Sequence, residues 1–279
     1  MLHILVLLKP VSMRSIYSTL AFFGLLVSSL STEAQKLPNV QKASVWAPQN
    51  IKIDGKATEW DDKYQAYNNA TDIHYTLSND DKNLYLLIKA TGRLSVAEKS
   101  LSRGISFTVN HTLSKKDDAA VTITYPMLKG KDLELVSGLF LATAGVKMSG
   151  NSGGDNSITR LNNIFTEKSK YIGVVGIKKV TEKEISIYND LDVKAVAAFP
   201  APAMYVYELA IPLNLLALPE GGTQRFSYHI TMNARKEVME RIGSRPIVNP
   251  GAPPEPMPDP ALYTPTDFWG EYTLAKKPY

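Results

Sequence analysis

The types and spacing of the potentially catalytic side chains give little support for an enzymatic reaction. The 279-residue sequence has no cysteine, which excludes a thiol nucleophile. Four histidines lack the spacing of a metal site such as H-E-x-x-H: His3, His74, His111 and His229. Glu208 and Glu271 lie on predicted strands and would form a glycosidase pair only if their carboxylates faced each other, whereas solvated strand carboxylates are the ordinary case. We therefore predict a non-catalytic protein.

Aromatic residues in polar surroundings indicate a different chemistry. A tyrosine or tryptophan ring can stack on the C–H face of a pyranose while planar amides bond the hydroxyl groups. The densest group of suitable residues is Tyr64, Gln65, Tyr67, Asn68 and Asn69. Trp46 and Tyr263 lie in similar turn-rich settings. These seven residues are the predicted sugar contacts, and the alternative is that the loop tyrosines only pack over the end of the core.

Short acidic runs indicate where a cation would bind. Calcium takes several hard oxygen ligands from carboxylates and carbonyls. The candidates are Asp61, Asp62, Asp72, Asn79, Asp80 and Asp81. None follows the spacing of an EF-hand loop, so the sequence leaves a structural calcium ion open and assigns no ligands to it.

Strands must position most of these residues, because the dominant hydrophobic period is two. Ile51-Lys52-Ile53 alternates before the turn at Asp54-Gly55, and two strands flank the Asn/Asp-rich turn at 78–83. Further predicted strands are 104–109, 120–125, 171–178, 184–188, 203–211, 224–233 and 268–274. Only 95–102 and 213–216 are predicted to be helical, and Trp60 and Trp269 are predicted core residues. The pattern predicts an all-β protein, an antiparallel β-sandwich with one or two short helices.

The N-terminus predicts export. Residues 1–34 have the layout of a secretory signal peptide, with Met13 as an alternative start. Arg14 is followed by an apolar stretch from Ile16 to Leu30 and then by a small-residue cleavage site that ends at Ala34. The other interpretation is an uncleaved anchor. With no cysteine a lipoprotein anchor is excluded, so we expect a secreted or periplasmic protein of residues 35–279.

That mature chain is expected to form one domain with two long loops. A flexible loop is predicted near 148–157, and eight prolines between 246 and 265 exclude a sheet interior there. The proline-rich stretch could link two domains, but too few residues follow it to form a second one. The net charge of +4, with no Lys/Arg run longer than two, argues against a nucleic-acid partner.

Three motifs carry a family resemblance. They are "I-x-I-D-G-x-x-x-E-W" at 51–60, "D-x-x-N-L-Y-L" at 80–86 and "Y-E-x-A-I-P-L" at 207–213. In this order they resemble carbohydrate-binding module family 9 and the wider DOMON-like group of jelly-roll-type β-sandwiches, over about residues 45 to 275. The resemblance implies binding of an oligosaccharide or polysaccharide between two tryptophans, structural calcium, and a link to carbohydrate catabolism.

Two other functions stay open. Some DOMON-like relatives bind haem for electron transfer, and Met127, Met204, Met232 and His229 are the candidate axial ligands here. Met232 and His229 would lie on opposite faces of one strand, so they could not ligate the same iron by alternation. The third interpretation is an envelope scaffold that keeps the sandwich without a sugar site.

Overall fold

The computed structural model describes residues 36–91, 94–145, 157–178, 180–218, 224–234 and 264–278. The predicted signal peptide, residues 148–156 of the predicted flexible loop and residues 246–263 of the proline-rich stretch lie outside these ranges. The elements described below all belong to one unit, Leu37–Tyr279.

Strands dominate the described residues. They are β1 (Ala66–Asn68), β2 (Ile73–Asn79), β3 (Asn83–Ala90), β4 (Ile105–Val109), β5 (Val121–Tyr125), β6 (Tyr171–Val175), β7 (Glu184–Ser186), β8 (Lys194–Ala198), β9 (Tyr205–Pro212), β10 (Arg225–Met232) and β11 (Thr266–Thr273). The first sheet has the order β1-β2-β3-β9-β8 and the second β11-β10-β4-β5-β6-β7. Every pair within the sheets is antiparallel. The predicted all-β sandwich is confirmed.

The main core lies between the two sheets and follows from the alternation of side chains along each strand. In β4, Ile105, Phe107 and Val109 are buried, whereas Ser106 and Thr108 are half-buried on the outer face, the face turned away from the other sheet. Tyrosines add polar contacts inside this core. The hydroxyls of Tyr75 in the first sheet and Tyr228 in the second are 2.8 Å apart, which ties the sheets together.

The structure contains more α-helix than the sequence predicted. The structure has α1 (Leu94–Arg103), predicted as 95–102, and also α2 (Gly130–Thr143) and α3 (Ser157–Lys168). Both unpredicted helices bury residues at helical spacing, including Val136 and Phe140 in α2 and Phe165 in α3. The rings of Phe140 and Phe165 lie 5.4 and 5.3 Å from that of Phe199. The predicted helical piece at 213–216 is a 3₁₀ turn, Leu213–Leu215.

Three strand assignments differ from the prediction. Residues 51–53 form no strand, because their side chains pack on a sheet face instead of pairing at its edge. The short strands β1 and β8 were not predicted. β8 has the sequence Lys-Ala-Val-Ala-Ala, in which small residues hide the alternation between buried and exposed positions.

Removing the hydroxyl that ties the sheets is a direct test of the core. Tyr228→Phe is expected to lower the free energy of unfolding by about 1 kcal/mol, because the buried Tyr75 hydroxyl loses one of its two hydrogen-bond partners and keeps only the N–H of Gln41. Urea denaturation measures this difference. Tyr171→Phe is the control, since Tyr171 is exposed and should change stability little; equal effects of the two variants would contradict the contact.

Candidate functional site

A segment without regular strand structure crosses the outer face of the first sheet. We call residues 51–64 the strap. Its residues Ile51, Ile53, Ala57, Trp60 and Tyr64 pack on the outward side chains Tyr85 and Leu87 of β3 and Val206 and Ala210 of β9. Trp60 is a core residue, as predicted, but this second core lies under the strap rather than between the sheets.

A buried carboxylate anchors the strap. Glu208 on β9 is 1% exposed, and its Oε2 accepts hydrogen bonds from the backbone N–H groups of Asp54 (3.0 Å) and Gly55 (2.7 Å). Gly55 has φ +82°, and a Cβ there would lie 2.9 Å from the Cβ of Ala198. The contact joins two of the motifs found in the sequence, since the Asp-Gly turn and the Tyr-Glu pair meet across the sheet. Burial raises the pKa of Glu208.

On one side of the strap lies a cleft of about 480 Å³, the tyrosine cleft, lined by Leu37, Asp62, Lys63, Tyr64, His74, Lys89 and Thr91. The His74 ring centroid lies 5.6 Å from that of Tyr64 and 4.7 Å from that of Tyr67. The sheet register produces this group, because Tyr67 of β1 is opposite His74 of β2. Tyr64 therefore lines this opening, whereas Tyr67 contacts the His74 ring but is not part of the lining.

Charged groups hold the edge of the tyrosine cleft in place. Lys89 Nζ lies 2.6 Å from Asp62 Oδ1 and 5.6 Å from the Tyr64 ring centroid, and the Tyr64 hydroxyl donates to Asp62. The hydrogen bond from Lys89 lowers the pKa of Asp62. Aromatic rings, a carboxylate and an ammonium group thus meet in one opening, which is a suitable arrangement for a polyhydroxylated ring.

The protonation of His74 tests this environment. Burial lowers the pKa of His74 below its ordinary 6.5, and the charge of Lys89 lowers it further. The unfolded chain binds the proton more readily, so the stability from neutral His74 is present above pH 6.5 and is lost as pH falls through the folded pKa. An NMR titration of the imidazole should give a midpoint below 6.5 that rises in Lys89→Met. A midpoint above 6.5 in the unmodified protein would contradict the geometry.

The other predicted sugar contacts are scattered. Gln65 is half-buried beside the tyrosines. Asn68 is fully buried and its amide holds Asn39, Ala70 and Thr71, so it is not available to a ligand.

The remaining three predicted contacts lie elsewhere. Asn69 is exposed and donates to Asn39 Oδ1. Trp46 forms an isolated β-bridge with Asn79. Asn79 lies five residues along β2 from His74, and this separation is about 17 Å at about 3.4 Å per residue. Tyr263 lies outside the described residues.

A second cleft of about 790 Å³ lies on the other side of the strap, and the three sequence motifs at 51–60, 80–86 and 207–213 all contribute to its lining. We call it the lysine cleft, after Lys52, Lys82 and Lys194 in its lining. These residues come from the strap, the β2–β3 turn and the start of β8, so only the folded chain brings them together.

The prediction that Trp269 is a core residue is wrong. Phe268, Gly270 and Tyr272 face the core, so Trp269 between them faces outward on β11. Its ring stacks on that of His229, with centroids 4.2 Å apart and an angle of 6° between the planes.

Two acidic residues considered for catalysis do not meet. Glu208 lies in the first sheet under the strap, whereas Glu271 lies in the second sheet and pairs with Arg225. A G-x-S-x-G sequence at 150–154 lies outside the described residues.

Several of the candidate calcium and haem ligands are engaged in other contacts. Asp62 pairs with Lys89, Asp72 accepts from Tyr67, and Asp80 accepts from two backbone amides. Over the described ranges, no three His, Cys, Asp or Glu residues are placed to hold a metal ion. Met232 is buried in the core while His229 faces outward and bonds Asp267, so these two lie on opposite faces as predicted.

Comparisons with known proteins give a weak similarity of fold. No protein-family model and no curated protein matches the sequence. Among solved structures, a carbohydrate binding module family 9 (CBM9) from Caldicellulosiruptor kristjanssonii in complex with glucose is similar with a TM-score of 0.34 and 8% identity, over 85% of this chain and 97% of that chain. Within the part of the chain that the structure describes, no helix has the length and apolar character of a membrane span.

Proposed function

We propose that the protein is an exported, non-catalytic carbohydrate-binding protein that holds a saccharide in the tyrosine cleft. The observation that carries the proposal is the grouping of Tyr64 and His74 at one opening, beside the Asp62–Lys89 pair and with the Tyr67 ring against His74. The predicted signal peptide supports export to the periplasm or the exterior, where polysaccharide catabolism would supply the ligand.

The aromatic rings and the polar groups of the cleft would contact different parts of a sugar. The tyrosine rings offer apolar faces to the C–H groups of a pyranose, while the Asp62 carboxylate accepts from its hydroxyls and the Lys89 ammonium donates to them. The existing contacts among Tyr64, Asp62 and Lys89 position these groups before a ligand arrives, which lowers the entropic cost of binding.

Affinity gel electrophoresis with soluble polysaccharides, followed by calorimetry with the retained sugars, tests the proposal. Tyr64→Ala should weaken binding about fivefold, because one stacked aromatic ring contributes about 1 kcal/mol. Tyr64→Phe keeps the ring and should lose less. Tyr188→Ala is the control, since Tyr188 is 78% exposed and follows β7 of the other sheet. Retention of no polysaccharide, or equal losses in Tyr64→Ala and Tyr188→Ala, would overturn the proposal.

A further inference from the structure

The lysine cleft combines an apolar floor with a charged rim. Ile51 and Ile53 of the strap and the buried Tyr85 and Ala210 of the sheet contribute the floor. Lys89 of β3 lines the tyrosine cleft, and Tyr85 of the same strand lines the lysine cleft. These two residues are four positions apart on β3, or about 14 Å. The two clefts are therefore separate openings on one sheet face, with the Glu208-anchored strap between them.

The charged side chains on the rim form no ion pair among the described residues, although Lys82 interacts electrostatically with the neighbouring Asp80. Lys52, Lys82 and Lys194 are exposed and form no ion pair with any described residue, unlike Lys63 and Lys89 of the tyrosine cleft. Two carboxylates, those of Asp81 and Asp192, also line the cleft and also lack an ion-pair partner there. Three ammonium groups against two carboxylates give the lining a net charge of +1.

The backbone that carries these groups is held in place. Asp80 Oδ1 accepts from the N–H groups of Lys82 and Asn83, both at 2.7 Å, and Lys82 O accepts from Leu213 N at 2.8 Å. On the opposite rim, the Asn189 side chain bonds the backbone of Leu191 and Val193 on either side of Asp192. The rim is thus largely formed before any ligand binds, which reduces the cost of binding.

We propose that the lysine cleft binds an acidic sugar, a pyranose that carries a carboxylate, as part of a saccharide. This inference rests on the proposed carbohydrate binding and adds a ligand class and a second site. The ligand carboxylate pairs with the lysine ammonium groups and neutralises the surplus positive charge. The Asp81 and Asp192 carboxylates accept from the sugar hydroxyls, and the apolar floor contacts the ring.

Calorimetry with a uronic-acid trisaccharide and a neutral trisaccharide of the same linkage tests this inference. The acidic sugar should bind about five- to tenfold more tightly at low salt, and high salt should remove most of the difference, because the charges are exposed. Lys52→Gln and Lys194→Gln should each reduce the preference. Lys116→Gln removes the same charge from an exposed position between β4 and β5 and should leave the preference unchanged.

The outcomes separate this inference from the proposed function. Equal affinity for the two sugars, or an equal effect of Lys116→Gln and Lys194→Gln, overturns the acidic-sugar site. If the neutral sugar then still binds and Tyr64→Ala weakens it, the tyrosine cleft stands. If only the acidic sugar binds, and Lys194→Gln but not Tyr64→Ala weakens it, the lysine cleft stands and the tyrosine cleft does not.

Discussion

Trp60→Ala is expected to lower the free energy of unfolding by about 3 to 5 kcal/mol, the range for removing a large buried aromatic side chain. Trp60 is 6% exposed and lies in the cluster that joins the strap to β3 and β9. Neighbouring chain cannot close the resulting cavity easily, because Glu208 holds the strap a few residues away. Urea denaturation followed by circular dichroism measures the loss.

Trp269→Ala is the matched control for Trp60. Trp269 is half-buried on the outer face of the second sheet and contacts His229 and Lys115. Its removal leaves a gap open to water rather than a cavity, so a smaller loss of stability is expected, about 1 to 2 kcal/mol. Equal losses for the two variants would contradict the assignment of a second core beneath the strap.

Glu208→Ala is expected to lower the free energy of unfolding by about 2 to 4 kcal/mol, because two backbone N–H groups lose their acceptor. Glu208→Gln keeps an oxygen that can accept from the same amides, and about 1 kcal/mol is expected for it. A loss as large in the glutamine variant as in the alanine variant would show that charge, rather than the hydrogen bonds, anchors the strap.

The same glutamine variant gives a pH signature. Burial raises the pKa of Glu208 above its ordinary 4.5, so the folded state binds this proton more tightly than the unfolded chain does. The stability of the unmodified protein relative to Glu208→Gln should therefore be greatest below pH 4.5 and should fall as pH rises through the folded pKa. Denaturation of both variants across this range measures the difference, and a relative stability that rises with pH would contradict the burial of the carboxylate.

The strands could be predicted because their side chains alternate in a way that the sheet reproduces. In β4 and β10 the alternate apolar residues of the predicted strands face the core. Helix α2 was missed because Leu139 and Leu141 add apolar residues beside its buried face and obscure the helical period. Trp269 was assigned to the core from the alternation along its strand, but the buried positions of that alternation are Phe268, Gly270 and Tyr272, which places Trp269 outside.

The site was predictable only in part. Tyr64 and Tyr67 were found because they stand close together in a polar stretch. His74 and Lys89, which complete the tyrosine cleft, join it through strand register, and the lysine cleft draws on the strap, the β2–β3 turn and β8. Such meetings depend on topology, so local residue patterns carry no signal of them.

The central claim is that the tyrosine cleft binds a saccharide, and the imidazole of His74 reports on it directly. In an NMR titration with a retained oligosaccharide, the His74 ring resonances should shift with increasing ligand, because His74 lies between the rings of Tyr64 and Tyr67. The chemical shifts of His111 and His229 should not change, because these histidines bond Asp117 and Asp267 outside the first sheet. A His74 signal that does not move while the sugar binds would contradict the account.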